Sequence, residues 1–163
     1  MAENDGQNAA DGGQGAPQNL GVLAQYVKDL SFENPGAPQS LRSRSSAPAI
    51  NITINVATGQ PSNNEVEVEL KIEAEAKVED RVLFAVDLTY GGMFRLTNIP
   101  LEAVQPVLMI ECPRLLFPFA RQILAEATRN GGFPPLLIDP VDFVALYRQR
   151  LAGMQPRAPD QLA

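Results

Sequence analysis

Residues 65–79, EVEVELKIEAEAKVE, alternate between apolar and charged side chains from end to end. A period of two puts successive side chains on opposite sides of a β-strand, so one side would face a core and the other would face water. Glutamate and alanine are weak strand formers, so the strand is predicted by the alternation rather than by the propensities of its residues. A chain with such a segment must build a sheet around it. The buried side would consist of Val66, Val68, Leu70, Ile72, Ala74, Ala76 and Val78.

Three other segments predict the rest of the sheet. The segment AINITINV (49–56) alternates isoleucine and valine with polar residues, and RVLFAVDLTY (81–90) follows a tight turn at residues 79 and 80, which predicts a hairpin. The segment YVKDLSFE (26–33) places acidic residues on one side and apolar residues on the other. A glycine pair in YGGMF (90–94) predicts a bulge or a bend, because it lacks the strand, loop and helix context of a dinucleotide site.

From Pro100 onward the pattern becomes helical. Residues 101–110 predict a short apolar helix. Residues 117–130 predict a longer helix, with Pro118 in its first turn and a glycine pair directly after its end. Strands followed by helices predict an α+β fold with an antiparallel sheet.

The last helix is expected at about 141–152, with Asp139 as its N-cap and Pro140 as its first residue. Both ends of the chain are polar and lack any periodicity, which predicts disordered tails. The predicted division is a disordered tail at 1–19, one domain at 20–152 and a flexible tail at 153–163.

The chain carries 13 basic and 19 acidic residues among 163, with a formal net charge of -6, and 45% of its residues are hydrophobic. This size and apolar content suit one folded domain. The acidic balance disfavours nucleic acid and anionic membranes as partners and favours a basic protein surface. The N-terminus lacks the regions of a signal peptide, and no unbroken run reaches the ~18 apolar residues of a membrane span. We therefore expect a cytoplasmic protein without membrane insertion.

The absence of histidine and the presence of a single cysteine restrict the chemistry. Histidine bases, histidine metal ligands and an internal disulfide are all excluded. Cys112, in ECPRLLFPFAR (111–121), has no histidine to activate it, so we expect a buried thiol without a chemical role. Carboxylates two residues apart on a strand lie about 7 Å from each other, too far for tight chelation. We expect no enzyme, no metal and no cofactor.

Two apolar segments, LLFPFA (115–120) and FPPLLI (133–138), hold more apolar residues than three helices readily bury. Two interpretations stay open for them: they belong to the core, or they form a surface for a partner or for self-association. The charged positions of 65–79 are likewise either a solvated face or a docking face for a basic partner.

Four stretches, in this order and spacing, together resemble the SecB family, the export chaperones of bacteria. They are YVKDLSFENPGAP (26–38), DLTYGGMF (87–94), CPRLLFPFAR (112–121) and GGFPPLLIDPVDFVALY (131–147). The resemblance implies an α+β fold with a four-stranded antiparallel sheet, assembled as a dimer of dimers with helices between outer sheets. It also implies an ATP-independent holdase that binds unfolded precursor proteins and delivers them to SecA, the motor ATPase of the Sec translocon.

The resemblance assigns roles to particular residues. The basic C-terminal tail of SecA would dock on the wet face of the sheet, at Asp29, Glu33, Ala85 and Asp87. Asp87 stands where the family more often has glutamate, and Ala85 stands where it has a larger apolar residue. The client-binding groove would include Phe32, Leu115, Leu116, Phe117 and Phe119, and assembly of the tetramer would use Val86, Leu88 and Tyr90. Two alternatives stay open: a SecB-like chaperone that controls a toxin–antitoxin pair, and an acidic adaptor domain without client activity.

Overall fold

The computed structural model describes residues 15–154 and contains one four-stranded antiparallel sheet followed by helices. The strands lie in the order β1-β4-β3-β2 across the sheet. This arrangement confirms the predicted α+β fold. Most of the two predicted tails lies outside the described residues, although Asn19 already begins a strand and residues 153 and 154 belong to the last helix. The strands are β1 (Asn19–Glu33), β2 (Ala49–Thr58), β3 (Glu65–Val78) and β4 (Arg81–Thr97).

Strand β1 is seven residues longer at its start than the sequence predicts, since it begins at Asn19 rather than at residue 26. Its pairing with β4 shifts between Val22 and Ala24 and again between Val27 and Asp29. Each shift adds one residue to β1, and an added residue reverses the side of the sheet on which the following side chains lie. The alternation therefore breaks twice, which is why the sequence pattern does not reveal the first half of the strand.

The glycine pair lies inside β4, where the sequence predicts a bulge or a bend. No bulge lies at the glycines, because the extra residues are two in β1 and, near the start of β4, Leu83. The glycines serve close approaches on the two sides of the sheet. A Cβ on Gly91 would lie 2.6 Å from the ring of Tyr26, and a Cβ on Gly92 would lie 2.7 Å from the ring of Phe94. Only hydrogen fits at either position.

The two helices predicted between residues 101 and 130 are one continuous helical stretch. It consists of α1 (Leu101–Pro106), a wider π turn (Val107–Glu111) and α2 (Cys112–Asn130). The predicted start at residue 117 is wrong, since Pro118 lies inside α2. Pro113, near the start of α2, has no N–H to donate. The wide turn before it is closed by the N–H of Cys112, which donates to the carbonyl of Val107.

The last helix, α3 (Phe143–Met154), begins two residues later than predicted. Asp142, rather than Asp139, caps it: the N–H of Ala145 donates to its Oδ1 at 3.0 Å, and the N–H of Leu146 donates to its carbonyl at 3.1 Å. Asp139 and Pro140 belong to the preceding loop. The tertiary path of the loop therefore places the cap three residues later than predicted.

Helix α2 covers the apolar side of the sheet. Leu116, Ala120 and Leu124 are fully buried, as are Val68, Leu70 and Ile72 of β3. The stretch Leu101–Asn130 is long and apolar enough to cross a membrane, although it contains no unbroken apolar run of that length. Its buried residues belong to the same hydrophobic core as the strands, so we interpret it as the core helix of this domain.

Candidate functional site

The wet side of the sheet concentrates carboxylates at one end. Glu33 and Glu75 flank Ala85 in one row across the strands, while Asp87 lies opposite Glu73 in the next row. These residues border a shallow depression of about 420 Å³. The register makes β1 and β4 neighbours and places Asp29, Glu33, Ala85 and Asp87 on one side of the sheet. We call Asp29, Glu33, Glu73, Glu75 and Asp87 the acidic face.

Two lysines only partly neutralise the acidic face. Lys71 pairs with Glu73 at 3.0 Å, and Lys77 pairs with Glu75 at 2.9 Å. The hydrogen bond to Glu73 and then the charge of Asp87 raise the pKa of Lys71, which therefore stays charged. Among the described residues, Oδ1 of Asp87 is buried and accepts no hydrogen bond. Five carboxylates and two ammonium groups give this end of the sheet a net negative charge, and one carboxylate oxygen, Oδ1 of Asp87, has no hydrogen-bond donor among the described residues.

The other end of the charged ladder is paired within the chain. Arg95 contacts Glu65 at 2.5 Å, and Lys28 bridges Glu67, at 2.6 Å, and Glu69. Lys28 is the extra residue at the second bulge of β1, and the bulge turns it onto the wet side. The negative field is therefore not spread evenly over residues 65–79. It is concentrated on the acidic face.

Tyr26 also lies at this paired end of the ladder and adds a hydrogen bond to one of its carboxylates. Its hydroxyl donates to Oε2 of Glu67 at 2.5 Å. Partial burial, and then this hydrogen bond, raise the pKa of Tyr26 to about 12. The hydrogen bonds from Lys28 and Tyr26 lower the pKa of Glu67 to about 2. These charges are already satisfied and are less available to a partner.

The five residues expected in a client groove do not lie together. Leu116 is 0% exposed, and Phe117 is 8% exposed and packs edge-on against Phe143 with 6.0 Å between ring centroids. Both are core residues in this structure. Leu115 and Phe119, by contrast, are 43% and 50% exposed on the outer side of α2. The period of 3.6 residues explains this division, because Leu115 and Phe119 are four residues apart and share one side of the helix, whereas Leu116 and Phe117 face the core.

Phe119 lies over a hollow of about 350 Å³ between β1 and α2, which Leu30, Tyr90 and Ile123 also line. Its ring stacks on Tyr90 with 6.4 Å between centroids. Of the three residues expected at the interface between copies, Val86 and Leu88 are buried beneath α2. Only Tyr90 among these three lines the hollow.

A second apolar depression, of about 260 Å³, lies on the helix side of the sheet. We call it the groove. Its residues come from the loop between β1 and β2 (residues 34–48, the crossover loop), from β2 and β4, and from the loop after α2. Phe32 stacks on Phe84, and Phe84 contacts Phe133, with ring centroids 6.0 Å and 4.9 Å apart. The groove is lined by Arg44, Pro48, Ile50, Leu83, Phe84, Phe133, Pro134, Pro135 and Leu136.

Sequence reasoning found part of this groove and missed the rest. It marked 133–138 as holding more apolar residues than three helices readily bury, and it named Phe32, which stacks on the lining residue Phe84 without lining the groove itself. It did not name Ile50 or Phe84. The available signal was the isoleucine series of β2: Ile50 and Ile52 belong to the core side by alternation, yet they remain 44% and 39% exposed. Three helices do not reach far enough to cover them.

Cys112 has no reactive environment. Its side chain is fully buried, and this burial, with a smaller effect of Glu111, raises the pKa of the thiol to about 12. A thiol of this kind is protonated at neutral pH and is a poor nucleophile. Within residues 15–154, no cluster of three or more acidic, histidine or cysteine side chains could hold a metal ion.

Comparisons with known proteins found matches over most of the chain. A family model described as "Preprotein translocase subunit SecB" matches residues 13–154. The "Protein-export protein SecB" of Rhodopseudomonas palustris (strain HaA2) is 60% identical over 86% of this chain and 89% of that protein. The protein of the same name from Afipia carboxidovorans is 58% identical over 88% of this chain and 89% of its own length.

A solved structure shares the fold at much lower identity. It is a SecB-like chaperone of Mycobacterium tuberculosis in complex with a peptide from an antitoxin. The TM-score is 0.63 at 11% identity, over 75% of this chain and 90% of that one.

Proposed function

The chain belongs to the SecB family and is a protein-export chaperone, and we propose that it acts as an ATP-independent holdase in the cytoplasm. In this proposal it keeps unfolded precursor proteins competent for translocation and delivers them to SecA. It works as a homotetramer and catalyses no reaction. The observation that carries the proposal is the placement of an apolar groove and an acidic face on opposite sides of one sheet. Client and motor could then be bound at the same time.

The groove supports binding of an unfolded client chain by apolar contact. Ile50, Phe84 and Phe133 offer aliphatic and aromatic surface to side chains that a folded client would bury. Such contacts depend on apolar area rather than on sequence, which suits a chaperone with many clients. Each well-buried client side chain would contribute roughly 1.5–3 kcal/mol. No nucleotide is needed, because release can follow from transfer to the motor.

The open edge of β2, beside the groove, offers main-chain hydrogen bonds that add to the apolar contacts with a client. The N–H of Gly59 points toward β3, where it donates to the carbonyl of Glu67. The carbonyl of Val56 points away from β3 and accepts a hydrogen bond from the guanidinium of Arg150 at 2.6 Å. Because these groups alternate along a strand, the N–H and C=O groups of Ile50 and Ile52 point away from β3. Strand β2 has no charged residue, proline or bulge that would block a further strand. An extended client segment could therefore pair there.

The acidic face supports docking of a basic segment of SecA. Exposed ion pairs contribute only ~0.2–1 kcal/mol each, but several carboxylates together also steer the encounter. Asp87, which lines the depression, adds its negative charge to those of Glu33, Glu73 and Glu75. Ala85 leaves the floor of the depression open to a side chain of the partner.

Exposed apolar residues on β1 and α2 support assembly into a tetramer. Four apolar residues of β1 are between 42% and 47% exposed: Val22, Leu23, Val27 and Leu30. Phe119 of α2 lines the same hollow as Leu30. A monomer would leave these apolar side chains in water. We propose that contacts between copies are made by Phe119, Leu30 and Tyr90, while Val86 and Leu88 support them from below.

Export is favoured over control of a toxin–antitoxin pair. The relatives at 58–60% identity bear the name of an export protein, whereas the chaperone with the antitoxin peptide is 11% identical. An adaptor without client activity would have no use for the groove.

A client-aggregation assay without nucleotide tests the holdase. Wild-type protein should suppress aggregation of an unfolded precursor. Ile50→Asn should weaken this activity, whereas Leu101→Asn should not, because Leu101 is exposed but remote from the groove. Equal suppression by wild type and Ile50→Asn would remove the groove from the client site.

Charge reversal tests the docking of SecA. Asp29→Lys with Glu33→Lys should abolish SecA binding and leave client binding and the mass of the assembly unchanged. Glu102→Lys with Asp139→Lys makes the same change of charge away from the acidic face and should have little effect. Titration calorimetry at two salt concentrations should also show steep weakening, since exposed charges are screened beyond ~8–10 Å. Salt-independent binding would contradict docking on the acidic face.

A further inference from the structure

We infer that Asn34 is a positioning residue of the groove. Its side-chain amide connects the crossover loop, which forms one wall, to the end of α2, from which the other wall begins. The inference rests on the proposed role of the groove in client binding. It adds a determinant of groove width, and therefore of which client side chains bind best.

Asn34 uses both ends of its amide. Its Nδ2 donates to the carbonyl of Gly131, directly after α2, at 3.3 Å. Its Oδ1 accepts from Oγ of Ser40, at 2.6 Å, and Ser40 is 9% exposed within the crossover loop. The carbonyl of Ser40 in turn accepts from the guanidinium of Arg44, which lines the groove. A chain of hydrogen bonds thus runs from the groove wall to the end of the core helix.

The opposite wall is held independently of Asn34. The N–H of Phe133 donates to the carbonyl of Thr128 at 3.1 Å, and the N–H of Leu136 donates to its Oγ1 at 2.9 Å. Thr128 is fully buried in α2, so this loop is fixed to the core helix. The crossover loop is the wall whose distance can change.

Apolar contacts also hold the crossover loop against the turn that follows α2, but they restrict its position less than the hydrogen bonds do. A Cβ on Gly132 would lie 2.9 Å from Leu41 of the loop, and a Cβ on Gly131 would overlap the ring of Phe32, close to the point where β1 enters the loop. Such contacts tolerate sliding, whereas a hydrogen bond requires a distance and a direction. The amide of Asn34 therefore sets the position of this wall.

A fixed wall has consequences for affinity and for selectivity. A preorganised groove avoids the cost of ordering the loop when a client binds. It also limits the size of the side chain that enters. Loss of the Asn34 connection should weaken binding of side chains that fit the present width and should spare larger ones, which benefit from a wider groove.

The test uses two unfolded peptides of equal length and charge, one with leucine and one with tryptophan at the anchoring positions. Asn34→Asp keeps the acceptor for Ser40 but loses the donor to Gly131. Asn98→Asp is the matched control, because the Asn98 amide also donates to a main-chain carbonyl, that of Pro17, at 3.2 Å. This bond lies near the start of β1, whereas Asn34 follows the end of that strand. Binding is measured by fluorescence anisotropy.

We expect Asn34→Asp to weaken the leucine peptide about fivefold, the usual factor for one hydrogen bond, and the tryptophan peptide less than about twofold. Asn98→Asp should change neither. A similar change for both peptides, or none, would overturn the positioning role. Failure of the wild type to bind either peptide would instead overturn the proposed function on which it rests. If Asn34→Asp melts more than about 10 °C below the wild type, Ser40→Ala, which breaks the same chain one step away, must show the same shift in selectivity or the inference fails.

Discussion

Replacing Phe117 and Phe119 separately by alanine should produce two different defects, although the residues are only two positions apart. Phe117 is 8% exposed and packs against Phe143. Truncation of a buried phenylalanine to alanine typically costs about 3–5 kcal/mol, because transfer energy and a cavity add together. In a chain of this size that loss should lower the melting temperature by roughly 6–20 °C.

Phe119 should behave as a surface residue. It is 50% exposed, so truncation removes roughly 100 Å² of buried area, half of what a phenylalanine offers. At about 25 cal/mol per Å² this is at most about 2.5 kcal/mol, and the better helix propensity of alanine returns about 0.5 kcal/mol. We expect a net loss of about 1–2 kcal/mol within one copy. The larger effect of Phe119→Ala should fall on assembly.

Urea unfolding and light scattering of both variants, each at two protein concentrations, separate these effects. Phe117→Ala should lose stability equally at both concentrations and keep the mass of the wild type. Phe119→Ala should dissociate more readily on dilution. The reasoning would be refuted if Phe117→Ala cost less than about 1 kcal/mol, or if the two variants unfolded and dissociated alike.

Other substitutions test other parts of the structure. Cys112→Ala should keep client binding, and the wild-type thiol should react with a thiol reagent only after unfolding; fast reaction of the native protein would contradict its burial. Gly91→Ala should cost roughly 1–3 kcal/mol in urea unfolding because its Cβ would lie 2.6 Å from the Tyr26 ring, whereas Gly21→Ala, with nothing nearer than 3.9 Å, should cost little; equal costs would refute the steric argument. The pKa of Glu67 is lowered to about 2, so its contribution to stability is complete above its ordinary pKa of 4.5 and is lost as the pH falls toward 2. The difference in melting temperature between wild type and Glu67→Gln should therefore shrink from pH 6 to pH 3, and a constant difference would argue against the Lys28 and Tyr26 pairing.

The sequence predicts the sheet well because each long strand has one buried and one wet side. The alternation of 65–79 identifies β3, and the same rule places Asp29, Glu33 and Asp87 on the wet side before their register is known. It fails in the first half of β1, where two bulges interrupt the period. A bulge depends on the partner strand, and the chain carries no local signal for it.

The helices were predicted less well because local rules gave too much weight to proline. Pro118 indicated a helix start, yet it lies in the interior of α2, where packing on the sheet compensates for the missing hydrogen bond. The helix propensities of the residues in the wide turn, Val107–Glu111, do not predict that turn. Tertiary packing overrides local preference here.

The groove could be predicted only in part, since it is assembled from distant segments. Ile50, Phe84 and Phe133 come from two strands and a loop that lie far apart in sequence. The sequence marks each of them as apolar, but it does not show which apolar residues the helices leave uncovered. The register of the sheet and the length of α2 decide that.

Binding of an unfolded, signal-bearing precursor, measured without nucleotide and then with SecA added, tests the central claim most directly. The protein should hold the precursor in a soluble complex, and SecA should join that complex through the acidic face before the precursor is released to it. Precursor that aggregates as fast with the protein as without it would contradict the holdase. A stable precursor complex that SecA neither joins nor relieves would contradict delivery to the motor.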